Sequence, residues 1–327
     1  MAMIRKILWL LAILLLAHVQ LAPAQHPVKN ARIEFLFFGS RDQPHLQSFH
    51  HGLRELGYIE GNNISIEYRY AGGKSDALPS LAAELAALNL DLIVTTTPNA
   101  TRAVLRASGR VPIVAVGFDP IATGLAKSLA APGGNVTGLS SRAGPDMEGK
   151  RLDVLKEAFP KISAVAMLWN PEAAQLQLAL DSAKRGAKAL GIQLRPFEVK
   201  SVDDIDRTFD QLKKLGPDAV LIPGGPLLTL NSQRIVRLAA ELRVPAMYQT
   251  RKFVEDGGLM AYGVAFPDLY KRAAIYVDKI LKGARTADLP VELPMKFELF
   301  INLKAAGQIG VKIPPNVLAR ADMVIKQ

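Results

Sequence analysis

The sequence predicts an α/β protein of two similar Rossmann-like lobes, each built on a parallel sheet. Three observations predict it. The chain has 327 residues, which at roughly 100 to 200 residues per domain means about two hydrophobic cores. Short β-rich runs alternate with helical runs along most of its length, the pattern of parallel strands joined by crossover helices. The same punctuation then returns in the second half at a nearly constant spacing.

Ile33 to Phe38 reads as a buried strand. His45 to Leu56 has helical spacing, with Leu46, Phe49, Leu53 and Leu56 on one face, and Gly57 stops it. Ile64 to Tyr70 alternates as a strand and Asp76 to Leu88 is an Ala/Leu-rich helix. Leu92 to Thr96 is a strand, Asn99 to Ala107 a helix and Val111 to Val116 a strand. The second half repeats the order. Helix Glu148 to Phe159 leads to strand Ala164 to Trp169, and helix Ala173 to Leu190 to strand Gln193 to Val199. Helix Asp203 to Leu215 precedes strand Ala219 to Ile222, and helix Leu230 to Leu242 precedes strand Pro245 to Tyr248. Leu56-Gly57 is matched by Leu190-Gly191 134 residues later, Asp91-Leu-Ile-Val by Asp218-Ala-Val-Leu after 127, and Arg110-Val-Pro by Arg243-Val-Pro after 133.

From Asp268 the tail adds a helix to about Leu281, a strand near Lys296 to Ile301 and a final helical stretch, too little for a third domain. It is expected to cross back, giving its helix to the first lobe and its strand to the second. The first lobe is then 31–143 plus about 265–290, the second 144–264 plus about 291–327. Leu139 to Gly144 and Val264 to Pro267 read as extended crossings able to absorb a hinge rotation.

Residues 1–24 read as a secretory signal peptide: Arg5 and Lys6, the apolar run Ile7 to Leu16, and Ala22-Pro23-Ala24 before Gln25. The alternative, an uncleaved anchor, has a run shorter than the roughly 20 apolar residues a span needs. Removing this leader takes two of the 40 Lys and Arg and none of the 30 Asp and Glu, so +10 becomes +8. The basic residues are scattered in pairs such as Lys213-Lys214 and Lys271-Arg272. Nucleic acid is not the expected partner, because that reading needs clustered cations with interleaved aromatics.

The chain has no cysteine, which excludes disulfides, thiolate metal sites and a cysteine nucleophile. No phosphate-binding loop, dinucleotide fingerprint or Gly-x-Ser-x-Gly elbow occurs. All five histidines lie within the first 51 residues, so the second lobe has none. His45, His50 and His51 read as a solvated helix surface, since adjacent residues on a helix point about 100° apart. Neither a catalytic group, a metal nor a cofactor is expected.

What remains is a set of polar and aromatic residues at strand C-terminal ends, where open parallel sheets bind ligands beside helix N-termini. Ser40, Thr97 and Asn99 in the first lobe carry hydroxyl and amide groups suited to a carboxylate. Phe118, Tyr248 and Tyr262 offer rings to an apolar moiety. Asp119, Asn170 and Gly224 complete the candidate ligand-binding set. Asp119, Asn99 and Asn170 are also good helix N-caps and would occur without any ligand.

The run Gly52 to Ala71, Asp119-Pro120 with Pro132 to Gly138, and Lys296 to Lys304 together resemble the ABC-transporter substrate-binding proteins of type I periplasmic-binding fold. The likeness spans residues 31 to 323. It implies two lobes on a hinge of three crossings that close over a small-molecule solute and deliver it to an ABC permease in the inner membrane. Members of that family with known ligands include binders of aromatic and other apolar amino acids; with the leader cleaved, the mature chain is expected to be periplasmic, and it is expected to be a monomer. Thr95 to Pro98 fits the family's Ser/Thr-rich turn, whereas Ala173-Ala174-Gln175 departs from its more polar turn after Asn-Pro. An exported two-lobe enzyme acting on a small metabolite, and a sensor that presents a closed form to a membrane receptor, stay open as alternatives.

Overall fold

The computed structural model describes residues 30–326 apart from 40, 42–44, 143, 145, 172 and 173; the expected signal peptide lies outside the described residues. The first sheet gathers β1 (Ala31–Phe37), β2 (Ile64–Tyr70), β3 (Leu92–Thr95), β4 (Ile113–Val116) and β5 (Val136–Leu139) in the order β2-β1-β3-β4-β5, all parallel. Helices α1 (Leu46–Glu55), α2 (Leu78–Ala86) and α3 (Pro98–Ala107) connect them.

The second half builds α4 (Met147–Ala158), β6 (Ala164–Trp169), α5 (Ala174–Ala189), β7 (Gln193–Glu198), α6 (Val202–Leu215) and β8 (Ala219–Ile222). It continues with α7 (Pro226–Leu230), α8 (Ser232–Leu242), β9 (Ala246–Tyr248), α9 (Arg251–Glu255) and β10 (Met260–Val264). Its parallel strands run β7-β6-β8-β9-β10, the order of the first sheet over again. After α10 (Phe266–Leu281), β11 (Phe297–Asn302) joins this second sheet antiparallel to β10. Then α11 (Leu303–Ile309) and α12 (Pro315–Leu318) precede β12 (Met323–Ile325), which pairs parallel to β11.

The repeated Asp has one job in both halves. Asp91 Oδ2 accepts from Arg32 N at 2.7 Å while Asp91 N donates to Arg32 O at 2.9 Å. Asp218 Oδ2 accepts from Ser163 N at 2.7 Å and Ala164 N at 2.8 Å, and its own N donates to Ala164 O at 2.8 Å. Each carboxylate satisfies backbone donors that the start of a strand would otherwise leave open. The Leu-Gly markers close their helices alike, with Tyr58 N donating to Leu53 O at 3.0 Å and Ile192 N to Ala187 O at 2.8 Å.

Each sheet carries a core on both faces. In the first, Ile33, Phe35 and Phe37 of β1 pack with Phe49 and Leu53 of α1 on one side, and Leu36 with Ile93, Ala100 and Val104 on the other. Helix α10 packs on α1 and places Leu269, Ala273, Tyr276 and Val277 in the first of these cores, although the strand before it belongs to the second sheet. The chain then runs beside β5. Thr137 Oγ1 donates to Leu289 O at 2.6 Å, Glu292 N to Gly138 O at 3.0 Å and Ser140 N to Glu292 O at 2.8 Å. The chain therefore passes between the sheets after Ser140, at Ala265 and at 293–296.

The structure adds three strands to the sequence reading. β5 and β10, of which that reading places only the last residues, Leu139 and Val264, at the starts of crossings, are sheet members, and the tail read as finally helical ends in β12. At α4, beside the first passage, Arg151 forms a buried ion pair with Glu148, and its Nε donates to Tyr262 O at 2.7 Å. Burial pushes the Glu148 carboxyl up and the Arg151 guanidinium down.

Candidate functional site

The C-terminal ends of the strands in both sheets face one open cavity of about 1260 Å³. The first lobe contributes Thr96, just past β3, His45, just before α1, and the first turns of α10 with Phe266 and Tyr270. The His45 ring stacks on Phe266 at 5.6 Å between centroids and lies 5.5 Å from Tyr270. Burial holds the His45 imidazole below the usual histidine range, and the positive charge of Arg251 across the cavity acts in the same direction. His45 thus corrects the reading of a solvated helix surface. His50 is likewise drawn in, with Nε2 2.7 Å from the Tyr68 hydroxyl.

The second lobe contributes Gln249 and Thr250 between β9 and α9, Arg251 at the start of α9, Gly263 of β10, and Glu298 and Phe300 of β11. The Arg251 guanidinium stands 5.9 Å from the centre of the buried Phe300 ring, and its Nε donates to Glu255 Oε1 at 2.6 Å. Glu298 is half-buried; burial, then the nearby Asp322 charge, raise its carboxyl above the ordinary range. At the rim Leu230 is an apolar side chain 85% exposed.

Ser40 lies outside the described residues. Thr97 caps α3, its Oγ1 accepting from Ala100 N at 3.3 Å, so the helix starts at Pro98 and Asn99 is exposed in its first turn. Phe118 is buried in the core under α2 and α3. Asp119 accepts from Ile121 N at 2.9 Å and faces Arg142 of the first passage at 3.5 Å. Asn170 is half-buried after β6. Gly224 turns the chain after β8 with φ +83°, and a Cβ there would meet the Gln249 side chain. Tyr248 is 1% exposed and stacks on Phe253 at 4.8 Å. Tyr262 packs against the second-lobe core beside Phe297. None of the described residues of that set lines the cavity; their neighbours Thr96, Gln249 and Gly263 do.

His45, Arg251, Phe266, Tyr270 and Glu298 are the side chains that sequence reasoning missed. Glu298 carries the clearest signal, a carboxylate inside the apolar run Phe297-Glu298-Leu299-Phe300 of a strand.

Comparison with known proteins agrees with this geometry. Residues 38–325 match the family model described as ABC transporter substrate binding protein. A tyrosine-binding protein from Clostridioides difficile (strain R20291) is 25% identical over 258 residues, 78% of this chain and 73% of that one. The ABC domain in complex with L-Trp from Streptococcus pneumonia superposes with a TM-score of 0.75 at 26% identity, over 91% of this chain and 100% of that chain. A conserved domain protein from Vibrio cholerae O1 biovar El Tor strain N16961 does so with a TM-score of 0.74 at 26% identity, over 90% and 100%.

Proposed function

Because the chain belongs to the ABC transporter substrate binding protein family, we propose that it is the extracytoplasmic solute receptor of an ABC importer, taking an amino acid with an aromatic or other apolar side chain. The carrying observation is the cavity whose two walls come from separate, like-ordered sheets. A site divided in this way is completed only when the walls approach, so solute binding and lobe closure become one equilibrium. The passages after Ser140, at Ala265 and at 293–296 are the hinge. Aromatic groups on the first-lobe wall and Phe300 on the second suit a ring, in keeping with the tyrosine and tryptophan of the relatives' names.

In this reading the leader 1–24 is removed after Ala24, and the mature monomer works in the periplasm. It releases its solute unchanged to a membrane permease, without cofactor or reaction. Calorimetry of the mature protein with L-Trp, L-Tyr, L-Phe and L-Leu tests it, together with small-angle scattering at saturation. A bound amino acid at about 100 times its Kd is expected to raise stability by about 2.7 kcal/mol and to reduce the radius of gyration. No binding of any of the four rejects the solute class, and an unchanged scattering profile at saturation rejects the hinge.

A further inference from the structure

The acidic side chains around the cavity are nearly all satisfied. Glu255 accepts from Arg251 at 2.6 Å, Asp256 holds Lys252 at 2.6 Å, and Asp206 pairs with Arg234. Glu298 is the exception. Its carboxylate has no hydrogen bond or ion pair among the described residues, although Lys296 and Arg251 are close enough to act on its charge. Its place in the sheet explains why it stays open. Glu298 is directly opposite Gly263 on the neighbouring strand β10, so the position beside it on the same face carries no side chain. Phe300, two residues on and therefore on that same face, presents its ring to the Arg251 guanidinium rather than to the carboxylate.

A half-buried carboxylate facing a cavity without a partner costs free energy that a cationic group entering the cavity would relieve. The surrounding groups restrict what that cation is. Burial and the Arg251 charge disfavour the protonated form of His45 on the facing wall, and the rings of His45, Phe266 and Tyr270 form an apolar surface. A small solute that meets both features has an ammonium group at one end and an apolar body at the other.

We propose that Glu298 is the acceptor for the α-ammonium group of the solute, which makes it the residue that separates amino acids from the corresponding deaminated acids. This rests on the solute-receptor reading above and deepens it by assigning one end of the ligand to one side chain. Discrimination follows from an asymmetry: a ligand lacking the ammonium buries the carboxylate without compensation, whereas one carrying it forms a charge-assisted hydrogen bond.

The test measures calorimetric affinities for L-Trp, L-Tyr, L-Phe and L-Leu, each against its deaminated acid, on the wild type, Glu298→Gln and Glu298→Asp. The wild type is expected to prefer the amino acid by at least about tenfold, the factor a charged hydrogen bond supplies. Glu298→Gln is expected to abolish that preference, chiefly by weakening the amino acid, and Glu298→Asp to restore part of it. Circular dichroism checks that each variant is folded, and because the readout is a ratio of two ligands on one protein, a general loss of stability does not mimic it. A Glu298→Gln protein that keeps the wild-type ratio, or a wild type that binds the deaminated acid as well as the amino acid, overturns the role of Glu298 while leaving the receptor reading standing. A wild type that binds none of the eight compounds overturns both.

Discussion

Replacing Glu34 by Gln is expected to remove a pH dependence that this carboxylate builds into the first lobe. Glu34 lies on the inner strand β1, between β2 and β3, with no exposed surface. Its Oε1 accepts from Arg69 and its Oε2 has no hydrogen-bond partner. Burial pushes the carboxyl from its ordinary 4.5 up to about 6, against the opposing pull of Arg69. Between those two values the folded chain holds a proton that the unfolded chain has released, so stability falls as pH rises through the window. A shift of about 1.5 pH units corresponds to about 2 kcal/mol. Glutamine keeps the shape and an acceptor for Arg69 but does not titrate. The stability of Glu34→Gln minus that of the wild type is therefore expected to increase by about 2 kcal/mol between about pH 4 and pH 7, other titrating groups cancelling in the difference. Urea unfolding followed by far-UV circular dichroism is the assay, because the fluorescence of Trp169 on β6 reports on the other lobe. A difference that stays flat would refute the argument that burial controls this carboxyl, and one of opposite sign would show that the Arg69 pair dominates it.

Tyr248→Ala is expected to cost about 3–5 kcal/mol in denaturant unfolding, because a fully buried ring stacked on Phe253 leaves a cavity when removed. Arg151→Met is expected to cost a similar 3–5 kcal/mol or so by stranding the Glu148 charge, whereas the double replacement with Glu148→Leu recovers most of it in a double-mutant cycle. The ring resonances of His45 are expected to titrate below the usual 6.5 of histidine. Since the unfolded chain takes up that proton first, His45 contributes a loss of stability as pH falls below 6.5, which His45→Gln removes. N-terminal sequencing of the exported protein is expected to begin at Gln25, and a secreted chain still beginning near Met1 would reject the cleaved leader.

The architecture was legible where burial leaves a one-dimensional trace. β3, β4, β6 and β8 are covered on both faces and read as largely apolar runs, β1 does so around the single buried carboxylate Glu34, and α1, α3, α6 and α8 show their buried face as a helical stripe. Asp91 and Asp218 were legible as a repeat because each performs the same backbone capping. β5, with four residues behind Pro-Gly-Gly-Asn, and β10, with Gly263 inside it, have too few side chains to show a period. At the site, sequence located the strand ends but not the residue at each end that turns inward. Successive strand residues point to opposite faces, so Tyr248 and Gln249, or Tyr262 and Gly263, differ in destination by a single step that composition does not encode. Glu298, Phe266 and Tyr270 reach the cavity only because the chain passes between the sheets more than once, a long-range fact invisible in any local window.

The placement of α10 on the first lobe has a consequence for how the molecule is made. Whether a ribosome or a translocation pore delivers the chain, its N-terminal half emerges first. All five strands of the first sheet are then in place, yet the face formed by Ile33, Phe35 and Phe37 lacks the cover that Leu269, Ala273 and Val277 provide. That face, with α1 packed on it but without α10, stays partly uncovered through the synthesis of almost the whole second lobe, so the first-made lobe is the one finished late. Shortened chains ending before Leu269 leave part of that apolar sheet face exposed and are expected to aggregate or be proteolysed rather than work as smaller receptors.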